Sequence, residues 1–140
     1  MPRFRLITFV LAALLALAGC ATGVGTRADA LDRTIYDYSA AVRWNNFELA
    51  FEAIAPEARE KRPLTSFELE RMKQSRVVGY TVVSAGPTPD GGVVRDVELR
   101  LVNVHTQAER VMRTRETWRY DEAAERWWQE DGLPVFTGER

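Results

Sequence analysis

Few residues in this 140-residue chain have the types and spacing to do chemistry. There is one cysteine, Cys20, and one histidine, His105. A zinc site needs three or four Cys, His or carboxylate ligands, and this pair does not supply them, so no metal is expected. HExxH, GxSxG, paired CxxC and a phosphate-cradling glycine loop are absent, and no cofactor is expected. That leaves the carboxylates. Glu116 stands between Thr114 and Trp118 on the apolar side of an alternating segment. If Trp118 pairs with Trp128 on a neighbouring strand, Glu116 falls opposite Glu130. Two carboxylates at close range on a partly buried face push one pKa up and can act as acid and base. The competing reading is that this end of the face opens to water, or that Glu116 pairs with an arginine from a helix, Arg43 being a candidate. His105 has a useful pKa but lies where the chain turns, with no acidic partner at readable spacing, and reads as a turn residue.

Aromatic residues make a second group. Tyr36 and Trp44 are eight apart, on nearly the same face of a helix, where they either line a pocket mouth or pack against a sheet. Trp127 and Trp128 are consecutive, so in a strand they point to opposite faces and one must leave the core side. An outward tryptophan is covered by the C-terminal segment, with Val135 and Phe136, or by another protein. The pair is the candidate interaction surface.

Cys20 has a different setting. Arg3 and Arg5 precede Leu6 to Ala18, thirteen residues without a charge, which would make roughly 20 Å of helix against a hydrocarbon core of roughly 30 Å. A basic head, an apolar run and a small-residue end make an export signal rather than a spanning helix. The run closes on Leu17-Ala18-Gly19-Cys20, which resembles the lipobox of bacterial lipoproteins at all four positions. The resemblance implies that the Cys20 sulfur receives a diacylglycerol, that the signal is cut between Gly19 and Cys20, and that the new amine is acylated. Ala21 follows where Asp would retain such a protein at the inner membrane, so the outer membrane, periplasmic side, is implied. An ordinary secretory signal would instead leave an unpaired thiol in an oxidising compartment.

Cleavage would leave 121 residues, enough for one domain. Of 19 basic and 20 acidic residues, Arg3 and Arg5 leave with the signal, so the balance is 17 against 20, a net −3. That does not suggest nucleic acid or an anionic lipid surface as the main partner. With no disulfide, the domain must stand on its core.

The elements that position these residues read in order. Ala21 to Thr26 is small and Gly-containing and reads as a tether, within a lipidated segment of residues 20–28. Leu31, Ile35, Tyr38 and Val42 form one helical stripe, predicting a helix from Asp29 to Trp44 that Asn45 and Asn46 interrupt. Phe47, Ala50, Phe51 and Ile54 predict a second helix closed by Pro56. Glu57 to Pro63 reads as exposed charged loop. Thr65 with Glu68 forms a capping box for a third helix, Ser66 to Gln74, with Leu64 and Leu69 as its staple. Then the period becomes 2. Strands are predicted at Val77–Val83, Val93–His105, Glu109–Tyr120 and Arg126–Asp131, with turns at Gly86–Gly92, His105–Gln107 and Asp121–Glu125. Antiparallel pairing sets Asp96 and Glu98 against Arg113 and Arg115.

The expected fold class is α+β: N-terminal helices packed on a curved antiparallel four-strand meander, as a single domain over residues 29–137 with a tail at 138–140. This order, with a Trp-rich last strand ending in Gly132-Leu133-Pro134, resembles the NTF2-like (SnoaL-like) cone, or a cystatin-like abbreviation of it. The expectation for function is a membrane-anchored lipoprotein acting as a non-catalytic binding or scaffold module. Its partners are the membrane, through lipid on Cys20, and an envelope protein; a homodimer is possible. The alternatives are a small-ligand carrier using the cone, or an enzyme using Glu116 with His105 or Glu130.

Overall fold

The computed structural model describes residues 21–136, with backbone alone for residues 21–26. Gly19 and Cys20, and the rest of the signal, lie outside the described residues, as do residues 137–140. The chain divides into two units between Arg33 and Thr34.

The described part of the first unit is helical. Helix α1 (Ala21–Arg43) takes in the segment expected to be a tether. Gly23 and Gly25 each cost about 1 kcal/mol relative to Ala in a helix, but extending an existing helix avoids the larger cost of nucleation. Within this unit, Arg33 Nε donates to the Asp29 carbonyl, 3.3 Å away.

In the second unit the last turns of α1 bury Tyr38, Ala41 and Val42, the C-terminal part of the stripe read from the sequence, while Ile35 is half-buried. Asn45 stops the helix in the left-handed conformation, φ 58°, which Asn tolerates better than most residues. Its side-chain oxygen accepts the Val77 N–H at 3.0 Å, tying the helix end to the first strand. Helix α2 (Phe47–Phe51) is capped by the Asn46 side chain on the Leu49 N–H and is shorter than expected. Ile54 leaves it to form a parallel bridge with Gln129. Residues expected to be a charged loop form helix α3 (Pro56–Lys61), opened by Pro56 in the first turn, where a missing N–H costs nothing. Helix α4 (Ser66–Lys73) carries the full Thr65–Glu68 capping box.

Four strands follow: β1 (Ser75–Pro87), β2 (Val93–Asn103), β3 (Glu109–Asp121) and β4 (Arg126–Gln129). They form one antiparallel sheet in the order β1-β2-β3-β4. The fold is therefore α+β with an open four-strand meander, as expected. β1 is longer than its alternating run and has irregularities between Val77 and Gly79 and between Val82 and Ser84. The β1–β2 turn uses Gly91 at φ 83°, and a side chain on Gly92 would meet the Trp118 carbonyl at 2.5 Å. Asp96 opposes Arg115 and Glu98 opposes Arg113, the register that charge predicts. Both pairs close, at 3.1 and 3.5 Å.

One face of the sheet carries Val97, Leu99, Leu101 and Trp118, all fully buried against Val42, Phe47 and Ile54 in the core. The sheet's last strand is bridged at its end: Ala55 N–H donates to the Gln129 carbonyl and Gln129 N–H to the Ala53 carbonyl, 2.8 and 2.9 Å. Among the described residues no helix is long and apolar enough to cross a membrane.

Candidate functional site

The third and fourth strands pair one residue away from expectation. Trp118 opposes Gln129, not Trp128. A one-residue slip reverses the face of every side chain on the strand. Glu116 and Glu130 therefore do not meet. Glu130 is exposed and pairs with Arg119 at 2.6 Å.

Glu116 is 1 % exposed. Strand alternation puts it on the core face beside Arg95, its partner on β2. Arg95 Nη1 reaches Glu116 Oε2 at 3.3 Å, and the Tyr80 hydroxyl donates to Oε1. The expected arginine partner thus exists, but it comes from the sheet and not from Arg43. The Arg95 guanidinium also lies 5.9 Å over the Tyr80 ring. Tyr38, buried on α1, meets Trp118 edge-on at 5.3 Å.

Burial outweighs these partners. It pushes the Glu116 carboxyl above its ordinary value, although the Tyr80 hydrogen bond and the Arg95 charge pull it down. The Trp118 indole N–H gives it some further stabilisation without a hydrogen bond of standard geometry. Tyr80 and Tyr38 are both held well above ordinary tyrosine values, first by burial and then by the neighbouring carboxylate. Such a cluster keeps both tyrosines neutral, and Tyr80 donates to the carboxylate. Every polar atom of the carboxylate is engaged by its neighbours, so it functions as an internal latch between strands. The signal for it was present: Arg95 shares the alternating face of Val97, Leu99 and Leu101, and an arginine pointing inward needs a buried anion.

The other candidates are scattered. His105 is exposed in the β2–β3 turn, where its backbone N–H bonds the Asn103 side chain at 2.9 Å. Tyr36 and Trp44 are 68 % and 83 % exposed, and neither packs on the sheet nor lines the cleft described below. Trp127 and Trp128 are both buried, which corrects the expectation of an open tryptophan face. Trp127 packs edge-on to Tyr120 at 5.3 Å on the core side. Trp128 does lie on the outer face, opposite Arg119, but Arg126 stacks 3.8 Å over its ring and Arg59 of α3 lies 5.8 Å away. The helix read as a loop is what brings Arg59 there.

An open cleft lies elsewhere in the second unit. About 90 Å³ in volume, it is lined by Phe51, Leu64, Met72 and residues 133–136, with the exposed Arg62, Glu68 and Arg71 among its walls. Its components are far apart in sequence, which is why no local pattern announced it. Among the described residues no group of His, Cys and carboxylates is placed to hold a metal.

No protein-family model matches the chain, and no curated protein does. Among solved structures it is similar to a SEC-C motif containing protein from Psychrobacter arcticus, solved at 1.75 Å resolution. The TM-score is 0.55 and the identity 16 %, over 81 % of this chain and 65 % of that one. The likeness is one of fold. This chain spans about two thirds of that protein.

Proposed function

We propose that this protein is a bacterial envelope lipoprotein, held by lipid on Cys20 at the periplasmic side of the outer membrane, whose NTF2-like domain binds a protein partner and does no chemistry of its own. The observation that carries the non-catalytic part is the state of Glu116. The carboxyl with the raised pKa is buried and fully engaged by Tyr80 and Arg95, with no free acceptor facing a substrate. Its supposed partner Glu130 is on the surface, and His105 is in a distant turn. The space between α1 and the sheet is filled by Tyr38, Val42, Phe47, Leu99 and Trp118, which speaks against a carrier using that interior. The open cleft remains as the place to bind.

The anchor rests on Leu17-Ala18-Gly19-Cys20 after an apolar run too short to span. Two or more acyl chains hold a protein stably where one does not. The test is labelling cells with a radioactive fatty acid. Label is expected in the native chain and lost in Cys20→Ser; label retained in that variant refutes the site. Cross-linking in intact cells then tests the binding module: recovery of the chain alone, with no specific partner, would count against it.

A further inference from the structure

We infer that the cleft between α4 and the segment 133–136 binds an acidic peptide segment that inserts one apolar side chain. This deepens the reading of the domain as a protein-binding module, and rests on that part of it but not on the anchor.

Size decides the first half. A cleft of about 90 Å³ is small and open on one side. Whole small molecules and cofactors take pockets of roughly 300–1,000 Å³. A space of that size suits a single side chain carried by something larger. The floor suits it: Met72, Pro134 and Phe136 are buried and apolar.

Charge decides the second half. Four arginines of the sheet are paired with acids, Arg95 with Glu116, Arg113 with Glu98, Arg115 with Asp96 and Arg119 with Glu130. The two arginines that line the cleft are engaged otherwise. Arg62 gives one nitrogen to the Asp131 carbonyl at 2.9 Å, and Arg71 lies 5.8 Å over the Phe67 ring. Neither has an acidic partner among the described residues. The carboxylate between them, Glu68, is held by the capping box, its Oε2 accepting the Thr65 N–H at 3.4 Å. Two guanidinium forks beside an apolar slot suit a carboxylate-bearing chain, since each fork can take a carboxylate through paired N–H groups.

The wall is also built in advance. The Phe136 ring meets Phe47 edge-on at 5.3 Å, and Arg110 donates to the Phe136 carbonyl, so the segment is fixed before anything binds. At Gly132, φ 83°, an added side chain would meet the Arg62 guanidinium at 2.8 Å, so glycine there leaves Arg62 its place.

The test uses the full chain in detergent micelles, titrated with the blocked peptide Ac-Glu-Leu-Glu-NH2 while backbone amide shifts are followed by NMR. Shifts are expected at residues 62–72 and 133–136. Affinity should fall about tenfold for Ac-Gln-Leu-Gln-NH2 and for Ac-Glu-Ala-Glu-NH2, and at least about fivefold for Arg62→Gln or Arg71→Gln. Arg100→Gln, on the exposed sheet face, keeps the native affinity. Equal binding of the Gln peptide, or no shifts at those residues up to about 10 mM peptide, overturns the inference. A partner cross-linked in cells at another surface, with no peptide binding, overturns it while leaving the binding module standing. Absence of any partner in cells, with the peptide seated in the cleft, supports the inference and counts against an envelope protein as the partner, leaving the anchor to its own test.

Discussion

Arg95 and Glu116 show how a charge pair can sit in a core and still be asymmetric. Because burial holds the Glu116 carboxyl above its ordinary value of 4.5, folding favours the neutral acid more than the unfolded chain does. A raised folded pKa means that this group's stabilisation is full below about pH 4.5 and is lost as pH rises through the raised value. Asp96 behaves oppositely: its hydrogen bonds from Arg115 and Ser84 lower it, so its contribution is present above its ordinary value and lost as pH falls. Two substitutions separate the members of the buried pair. Glu116→Gln keeps acceptors for Tyr80 and Arg95 and removes the charge that burial disfavours, so it should cost no more than about 1 kcal/mol at pH 7. Arg95→Met strands the carboxylate and should cost about 3 kcal/mol at pH 7, with the loss shrinking as acidification neutralises Glu116. Urea denaturation across pH measures both. A larger loss from Glu116→Gln than from Arg95→Met would reverse this assignment. The pair was half legible in the sequence. Glu116 stood out as an acid on an apolar face, but its partner was sought on the wrong strand, because indole–indole pairing looked a stronger register signal than it was.

At the scale of elements, local punctuation was readable and long-range placement was less so. The Thr65–Glu68 box is present as read, both of its hydrogen bonds included. Thr65→Ala should therefore cost about 1 kcal/mol, and Thr65→Ser should recover most of it. Thermal unfolding checks this, and an unchanged midpoint for Thr65→Ala would show that the box contributes nothing. The β2–β3 register was legible because charges of opposite sign face each other across it. The β3–β4 register was not, for a local reason. Asp121 pairs with Arg126, its side chain accepts the Ala123 and Ala124 N–H groups, and Glu125 takes the left-handed conformation at φ 50°. Glycine or Asn usually flags that conformation, and here glutamate holds it, so the turn length could not be read. α3 escaped for a similar reason. Its six residues have no apolar stripe to detect, and what settles them is Pro56 at the start and the sheet edge they follow.

At the scale of the molecule, the two edges of the sheet differ. β4 is bridged at Gln129 by residues 53–55. β1 is an outer strand of thirteen residues, uncharged from Val77 to Pro87, with Val78 and Val83 exposed. Charge would normally protect such an edge; here two irregularities in its ladder are the protection, since they bend and twist the strand away from easy pairing. On the far side, residues 53–55 already take the outward backbone groups of Gln129 at the end of β4. β1 offers its outer backbone along a much longer run. Association through backbone pairing is therefore expected to begin β1 to β1, two copies related by a two-fold axis, and sedimentation at rising concentration should find a dimer as the first species above the monomer. Three residues, Ala53, Ile54 and Ala55, thus help to decide at which edge a second copy would meet the first.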